Sequence, residues 1–307
     1  MRTCVLTYVV VNLFLISYSF ADEMIGFFSE NYSKPLPEIK VYEHVVDHKY
    51  SLFTHRRNYI LPISIVDKPA NDLYSQYTNV QRSTSGEYYQ NTEAEFQISF
   101  FIPVIRRISN SSWDLNFAYT HHSWWQVYNV DWSQPFRETN YNPEVFFRYL
   151  EHHEINILGF KLLSYGLGYA HQSNGQIQLL SRSWDRLFSR FTLAGYDSFL
   201  LIEAWLRLPE GVYDDNPGIT DYMGHGKIGY QKNIGHHSLE FHIPVAKNFS
   251  LEAAYSYPVK DGVRVFASYR TGGGQSLIDY NRASNRYALG IALDHFFDNR
   301  KFDPLKD

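Results

Sequence analysis

A histidine and a serine lie two residues apart at the end of a segment that alternates between large and small side chains. In residues 161–173, four large residues share one face of a predicted strand: Leu163, Tyr165, Leu167 and Tyr169. His171 and Ser173 continue that face, because alternate residues of a strand point to the same side. A histidine beside a serine hydroxyl is a pairing that can activate a nucleophile.

A third residue with suitable chemistry falls on the next predicted strand. Asp185 has the same parity as Leu187, Phe191 and Leu193, and a hairpin joining the two segments would bring it beside His171. A carboxylate in that place would hold one tautomer of the imidazole and stabilise its charged form. Each of the three residues alone is more simply a polar surface group. Their joint position on one apolar face favours a catalytic triad.

The rest of the chain must supply elements that hold this face against lipid. After residue 21 no apolar run is long enough for a transmembrane helix. Segments of about ten residues alternate in hydrophobicity instead, and the clearest is 286–297. Its large residues share one face: Tyr287, Leu289, Ile291, Leu293 and Phe297. Its small or polar residues share the other: Ala288, Gly290, Ala292 and Asp294. Large apolar residues outside and small or polar ones inside are typical of an outer-membrane barrel.

Twelve segments carry this pattern, and single-chain bacterial barrels have an even number of strands. The predicted strands are 58–66, 91–105, 113–129, 144–152, 161–173, 185–194, 198–208, 221–232, 236–245, 249–257, 262–271 and 285–297. The sequence therefore predicts an all-β fold, a 12-stranded antiparallel transmembrane β-barrel. His171 and Ser173 would face lipid, where polar groups are costly unless they serve a function.

The predicted connections alternate between short and long. Short turns are expected at 195–197, 233–235 and 260–262. Longer segments, rich in Gly, Asn, Asp and Ser, are expected around 130–143, 174–184, 209–220 and 272–284. This alternation matches the periplasmic and extracellular ends of an outer-membrane barrel. The fifth strand would run outwards, which places the predicted site near the outer end.

Composition is consistent with this interpretation and excludes some others. Aromatic residues make up 17% of the 307-residue chain, as expected for a barrel with aromatic girdles. The net charge of −4 gives no reason to expect nucleic-acid binding. Cys4 is the only cysteine, so a chain lacking the first 21 residues would have neither disulfides nor cysteine-bound metal.

The two ends of the chain have features of their own. Residues 1–21 combine a basic start, an apolar core from Val5 to Leu15 and a small-x-small site ending at Ala21. These features predict a cleaved signal peptide, with a membrane anchor as the alternative. Residues 22–57 are predicted to be a periplasmic N-terminal segment. The barrel itself is predicted over 58–297 and an exposed C-terminal tail over 298–307.

Several motifs resemble the outer-membrane phospholipase A family of bacterial β-barrel enzymes. The resemblance is strongest at the site, in His171-Gln172-Ser173-Asn174-Gly175 and in Ser181-Arg182-Ser183-Trp184-Asp185-Arg186. Further matches are Tyr119-Thr120, Ser123-Trp124-Trp125-Gln126, Pro135-Phe136-Arg137-Glu138-Thr139-Asn140-Tyr141, Asp214-Asp215-Asn216-Pro217 and Ser276-Leu277-Ile278-Asp279-Tyr280-Asn281. They occur in order, with near-matching spacings, over roughly 91–297.

The resemblance implies hydrolysis of the acyl esters of phospholipids, as a phospholipase A1 and A2, with lysophospholipase activity from the family's broad specificity. Ser173 would be the nucleophile, His171 the general base and Asp185 the third member of the triad. The backbone N–H of Gly175 would help form the oxyanion hole. At the position of Asp185 the best-known family members have a neutral asparagine.

The resemblance also implies a calcium ion at the interface of a homodimer. Its ligands would be Ser181 and the backbone carbonyl of Gln176 from one subunit and Ser133 from the other. Oxygen ligands suit a hard cation such as Ca²⁺. The dimer would be the active state, embedded in the outer membrane of a Gram-negative cell. His121 stands where relatives have a glutamine near that interface.

Two other classes of protein remain alternatives. A passive porin would have a wide polar lumen and no use for His171 and Ser173 on its outer face, and small inward residues such as Gly166 and Gly168 do not favour a wide pore. An adhesin would act through the long loops. Ester hydrolysis that Ser173→Ala abolishes would distinguish an enzyme from both.

Overall fold

The computed structural model describes residues 52–73, 89–211 and 214–293. The predicted signal peptide, most of the predicted periplasmic segment and the predicted C-terminal tail lie outside these residues. The described chain folds into twelve long antiparallel strands. No helix of the described residues is both long and apolar enough to cross a membrane.

The twelve strands follow one another around the wall. They are β1 (Tyr59–Val66), β2 (Thr92–Ile105), β3 (Trp113–Trp125), β4 (Phe136–Leu150), β5 (Phe160–Ser173), β6 (Ser183–Gly195), β7 (Ser198–Arg207), β8 (Gly226–Ile234), β9 (His237–Pro244), β10 (Leu251–Lys260), β11 (Val263–Gly272) and β12 (Ser284–Leu293). Two-residue strands at 53–54 and 156–157 pair with β2 and β5. A four-residue helix, Thr220–Met223, lies in the loop before β8.

Pairing of the last strand with the first closes the sheet. β12 pairs with β1 from Arg286↔Val66 to Ala292↔Tyr59, and β1 in turn pairs with β2. Closure gives every wall strand two hydrogen-bonded neighbours, so no edge remains unpaired. The predicted 12-stranded antiparallel barrel is confirmed.

Exposure alternates along the strands as the sequence predicts. On β12, Tyr287, Leu289 and Ile291 are about half exposed, whereas Ala288 and Ala292 are buried. The outer face of this strand is thus apolar and its inner face carries small residues. Such a surface is stable when hydrocarbon rather than water surrounds the barrel.

The connections also alternate between the two ends. Tight turns at 196–197, 235–236 and 261–262 lie at one end. The loops 126–135, 174–182, 208–225 and 273–283 lie at the other end. β5 ends at the long-loop end, so the residues at the end of this strand lie there too.

Within the described residues, three strand boundaries differ from the predicted ones by more than three residues. β4 begins at Phe136 rather than at 144, so the loop predicted at 130–143 shortens to 126–135. The pattern was hidden because the inward residues of this part of β4 are polar and buried, among them Glu138, Asn140 and Asn142. β3 ends at Trp125 rather than 129. β8 begins at Gly226 rather than 221, because the short helix takes the first residues of the predicted strand.

Charged side chains fill much of the barrel interior. Glu144 is 1% exposed and accepts from Arg56 at 2.7 Å and from Arg190 at 2.9 Å. Arg270 bonds Glu95 at 2.6 Å and Glu252 at 3.1 Å. Such pairs satisfy charges that would be costly to bury alone.

Aromatic rings pack across part of the same interior. Phe101, Phe146 and Phe188 form a buried cluster with Ala118 and Ala170. A Cβ at Gly168 would lie 2.8 Å from the Phe188 ring, so the glycine makes room for this cluster. A remaining cavity of about 590 Å³ lies between charged residues. An interior crossed by packed rings does not favour a wide porin channel.

Candidate active site

The pairing of β5 with β6 brings two of the predicted site residues together. His171 and Asp185 are direct cross-strand partners, and Ser173 is paired with Ser183. Leu167 on β5 and Leu187 and Phe191 on β6 are exposed on the outer face, and His171 and Asp185 have the same parity as these residues, which places them on that face. Sequence parity alone predicted this juxtaposition.

His171 and Asp185 are joined by a hydrogen bond. The Nδ1 atom of His171 lies 2.9 Å from Oδ1 of Asp185. The two side chains are 38% and 32% exposed, so each is open on the outer side of the wall. A hydrogen bond at Nδ1 leaves Nε2 as the nitrogen that is free to accept a proton, which is the arrangement needed in a general base.

Ser173 lies one step further along the same outer face. The strand repeat places residues i and i+2 about 6.6 Å apart along the strand, and Ser173 is half-buried. The structure contains no hydrogen bond between the Ser173 hydroxyl and His171. Such contacts are often long in a free enzyme and shorten when substrate binds. The nucleophilic role of Ser173 therefore stays a prediction.

The surroundings of these residues are apolar. Leu167, Leu187 and Phe191 are 59%, 49% and 40% exposed on the outer faces of β5 and β6. They would contact acyl chains in a membrane. His171, Ser173 and Asp185 consequently lie at the boundary between the lipid-facing wall and the loop that follows β5.

Tyr169 is a contact that the sequence analysis missed. Its hydroxyl donates to Oδ1 of Asp185 at 2.5 Å, the same oxygen that bonds His171. Tyr169 lies two residues before His171 and is 40% exposed. Its large ring fits the outer girdle, so alternation alone gave it only an apolar role.

Asn174 organises the loop after Ser173. It is 3% exposed, and its Oδ1 accepts from the N–H groups of Gln176 at 3.3 Å and Arg182 at 3.0 Å. Its amide donates to the Leu180 carbonyl at 2.9 Å. The side chain thereby holds both ends of the loop 174–182 together. An asparagine directly after a strand is a turn signal, although its hydrogen bonds across the loop depend on the path of the chain.

The position of Gly175 suits the predicted oxyanion hole. Its φ of 64° lies in the left-handed region, and an added Cβ would lie 3.0 Å from the Tyr141 ring. Both constraints favour glycine. The Gly175 N–H makes no hydrogen bond within the described chain, so it is available to donate to a ligand oxygen.

The predicted calcium ligands lie in two separate loops. Gln176 and Ser181 both lie in the loop 174–182, whereas the exposed Ser133 lies in the loop between β3 and β4. In the described part of the chain, the Ser181 hydroxyl and the Gln176 carbonyl oxygen make no internal hydrogen bond. No group of three or more His, Cys, Asp or Glu residues that could hold a metal occurs among the described residues.

The Ser181 hydroxyl and the Gln176 carbonyl oxygen fit calcium only together with further oxygen ligands. Hydroxyl and carbonyl oxygens are suitable ligands, but Ca²⁺ takes six to eight oxygens. One loop supplies two neutral oxygens, and the Arg182 guanidinium is held against the Ser181 carbonyl at 2.6 Å. A site with so little negative charge needs further ligands, from water or from a second chain.

Three side chains on the inner face join the same two strands. Gln172 Oε1 accepts from the Trp184 indole N–H at 3.0 Å and from Arg186 at 3.2 Å. The Arg186 guanidinium lies 4.0 Å from the Trp184 ring centroid. Gln172 lies between His171 and Ser173 in the chain, so these contacts fix the strand that carries both. Sequence reasoning assigned none of them a role.

A second histidine–serine pair with the same spacing occurs on the outer face of β3. His121 Nε2 lies 2.9 Å from the Ser123 hydroxyl. Ser123, however, is fully buried and also bonds Thr139 at 2.9 Å. The other nitrogen of His121 faces the Tyr119 hydroxyl at 3.4 Å rather than a carboxylate. This pair therefore lacks the accessibility and the charge of the His171 group.

A closed barrel with an apolar outer wall and a hydrogen-bonded histidine and aspartate on that wall defines a class of protein, the outer-membrane β-barrel hydrolases. The family model for phospholipase A1 matches residues 38–293. The chain belongs to the phospholipase A1 family, which makes it an outer-membrane enzyme of the carboxylic ester hydrolase class.

Known relatives and solved structures agree with this assignment. A phospholipase A1 of Salmonella typhimurium is 33% identical over 260 residues, which span 82% of this chain and 84% of that protein. The outer membrane phospholipase A of Escherichia coli superposes with a TM-score of 0.73 at 30% identity, covering 81% of this chain and 94% of that one. The Salmonella typhi outer membrane phospholipase, a dimer with bound calcium, gives 0.72 at 30% identity over 80% and 93%.

Proposed function

We propose that this protein hydrolyses acyl ester bonds of phospholipids in the outer membrane, with Ser173, His171 and Asp185 as its catalytic triad. The observation that carries the proposal is the hydrogen bond from His171 to Asp185 on the lipid-facing wall, one step from Ser173. A polar group of this kind is costly against lipid without a function. Its position lets a membrane lipid reach the site without leaving the bilayer.

In the first half of the reaction, the acyl group moves from the lipid to the enzyme. The Ser173 Oγ attacks the ester carbonyl carbon while Nε2 of His171 accepts the hydroxyl proton. The Gly175 N–H donates to the oxygen that becomes negative, and Asp185 stabilises the imidazolium through Nδ1. His171 then gives its proton to the departing alkoxide oxygen, so the lysophospholipid leaves neutral at that oxygen and the acyl group stays on Ser173.

In the second half, water releases the fatty acid. His171 takes a proton from a water molecule as the water oxygen attacks the acyl carbonyl, and it returns that proton to Ser173 Oγ as the acyl bond breaks. The enzyme regains its starting state. Leu167 and Leu187 on the outer wall offer an apolar surface to the acyl chain throughout.

We extend the proposal to calcium and to a homodimer. Ser181 and the Gln176 carbonyl from one chain and Ser133 from a second chain would hold the ion. Bound calcium would supply positive charge, and the water molecules on the ion would polarise the ester carbonyl. The need for ligands beyond one chain supports the dimer, and a related structure is a dimer with bound calcium. The same proposal includes hydrolysis at either acyl position of the phospholipid, as a phospholipase A1 and A2, and lysophospholipase activity.

Fatty-acid release from mixed phospholipid–detergent micelles tests this function. The chain 22–307, refolded in detergent, is measured with calcium and with a chelator, beside Ser173→Ala. Ser189→Ala is a matched control, because Ser189 lies on the outer parity of β6 and bonds only the Ala204 carbonyl at 3.5 Å. We expect calcium-dependent release that Ser173→Ala lowers about a thousandfold or more and that Ser189→Ala leaves unchanged. Release that survives Ser173→Ala, or needs no calcium, contradicts the proposal.

A further inference from the structure

One oxygen of Asp185 accepts two hydrogen bonds on the outer wall. Tyr169 Oη lies 2.5 Å from Oδ1, and His171 Nδ1 lies 2.9 Å from the same atom. Hydrogen bonds from a hydroxyl to a carboxylate at such distances are charge-assisted and are stronger than neutral ones. The tyrosine and the histidine therefore hold the carboxylate from one strand.

The strand geometry explains how Tyr169 reaches Asp185. Tyr169 and His171 are alternate residues of β5 and point to the same side. Asp185 is directly opposite His171, while Tyr169 is opposite Leu187. Tyr169 thus reaches its partner along the diagonal, a distance within the reach of a long aromatic side chain. A phenylalanine would fill the same girdle position without the contact.

A carboxylate on this wall needs such a donor. Its apolar neighbours give it little solvation, and an ionised group near hydrocarbon is costly unless it is hydrogen-bonded. Its stabilisation by Tyr169 does not depend on the protonation state of His171. The negative charge is thus held in place before the imidazole becomes charged.

We infer that Tyr169 is a positioning residue of the active site, which donates to Asp185 and keeps its carboxylate ionised and aligned with His171. This inference rests on the proposed function. It adds a fourth member to the site without assigning Tyr169 any contact with the reacting atoms. Loss of the donor would reduce catalysis through the state and direction of Asp185.

Other charged groups lie near Asp185 and could change the pH dependence. Arg186 follows Asp185 on β6 and points to the inner face, and Arg207 on β7 is its cross-strand partner. Glu210, in the loop after β7, lies 3.5 Å from Arg207. Burial raises the pKa of the Glu210 carboxyl, so Glu210 could also titrate near the acid limb. A test must therefore separate its effect from that of Tyr169.

The test compares Tyr169→Phe with Tyr165→Phe in the full refolded enzyme with calcium. Tyr165 is the matched control, because it lies on the same face of β5 but stacks on Tyr149 and lies edge-on to Trp113 instead of contacting the site. For each protein, kcat and KM on a micellar phospholipid and the pH profile of kcat/KM are measured. Each variant is also made in a Glu210→Gln background.

For Tyr169→Phe we expect kcat to fall about tenfold with KM within about twofold. The acid limb of the profile should move upwards by about one pH unit, because the Asp185 carboxylate is protonated at a higher pH when it lacks the Tyr169 donor. Tyr165→Phe should change neither quantity, and Glu210→Gln should leave the Tyr169→Phe effect intact. In an Asp185→Asn background the effect should shrink to about twofold or less, since the amide carries no charge to stabilise.

Several results would overturn the inference. They are an unchanged pH profile in Tyr169→Phe, an effect on KM alone, an equal effect of Tyr165→Phe, and an equal loss in the Asp185→Asn background. Failure of the proposed function would be visible separately, because the unmodified enzyme would then release no fatty acid.

Discussion

The Asp185 carboxylate accepts from Tyr169 and His171 through a single oxygen, Oδ1, and this determines what each substitution of the side chain removes. An amide of the same shape keeps an oxygen that can accept from Tyr169 and from His171, whereas an apolar side chain keeps neither contact. The position therefore separates the need for a hydrogen-bond acceptor from the need for a charge.

We expect Asp185→Asn to keep activity within about tenfold of the unmodified enzyme and Asp185→Leu to lose about a thousandfold. The reason is that the amide oxygen still orients the imidazole, while leucine leaves His171 free to turn. Initial rates of fatty-acid release with calcium measure both. Equal rates for the two variants would show that Asp185 does not orient His171.

Gly175 allows a test of the oxyanion hole that controls for backbone strain. Gly175→Ala should lower kcat at least about tenfold, because an added Cβ meets the Tyr141 ring at 3.0 Å and displaces the N–H. Gly235→Ala is the control, since its φ of 61° is similar and no atom lies within 4 Å of an added Cβ. Both variants carry the same strain of a positive φ, so an equal loss of kcat would contradict the assignment.

The alternation of side chains along two strands was enough to predict that His171, Ser173 and Asp185 share the outer face. It did not predict which other residues contact them. Tyr169 looked like one more ring of the girdle, because alternation reports the side of a residue and not the reach of its hydroxyl. Asn174 was missed because its hydrogen bonds close a loop whose path is not periodic. Such contacts depend on chain geometry rather than on residue spacing.

At the scale of elements, the hairpin of β5 and β6 is held on both faces. Outside, His171 contacts Asp185; inside, Gln172 contacts Trp184 and Arg186. Because neighbouring residues of a strand point to opposite sides, the inner contacts can fix the strand without entering the site. The two strands of the candidate site are thus aligned from within the barrel.

Gln172→Met should destabilise the barrel by about 1–2 kcal/mol and also lower kcat several-fold, since it removes the inner contacts at nearly constant volume. Thermal unfolding in detergent and initial rates measure the two effects. Gln97→Met is the control, because Gln97 donates to the Arg57 carbonyl at 2.8 Å, away from the site. The control should lose stability and keep its rate. Equal rates in both variants would remove the positioning role of Gln172.

The strands themselves were predicted well where the inner face is small, as in β12, and poorly where it is polar. The first eight residues of β4 were assigned to a loop because Glu138, Asn140 and Asn142 resemble loop residues. In the structure, buried partners satisfy them; Glu138, for example, accepts from the Asn140 amide at 2.6 Å. Local composition cannot reveal that environment.

At the scale of the whole molecule, the barrel combines an apolar exterior with a charged interior. The interior pairs, such as Glu144 with Arg56 and Arg190, join residues far apart in the chain. Sequence patterning did not predict which of these charges meet, since that depends on closure of the sheet, and Arg56 lies in the segment that was predicted to be periplasmic. The same closure leaves the apolar outer wall of the described barrel facing the lipid chains.

The predicted calcium site requires two chains, and mixing two inactive variants tests this directly. Ser173→Ala lacks the nucleophile, and Ser133→Ala lacks the ligand that a partner would supply. In a mixed dimer, the chain with an intact Ser173 receives Ser133 from the other chain, so one of the two sites is complete. Random mixing in equal amounts should recover about a quarter of full activity.

Fatty-acid release by the separate and mixed refolded proteins measures this recovery. Each variant alone should be inactive or nearly so. No recovery on mixing, in samples that chemical cross-linking shows to be dimeric, would place Ser133 in the site of its own chain or outside it altogether.

The most direct test of the central claim is covalent labelling by an alkylsulfonyl fluoride, which modifies an activated serine, followed by mass spectrometry of the digested protein. We predict one label per chain, on Ser173, that depends on calcium and is lost in His171→Ala. Labelling of Ser123 instead, or labelling of Ser173 that is unaffected by His171→Ala, would contradict a triad built on the outer wall.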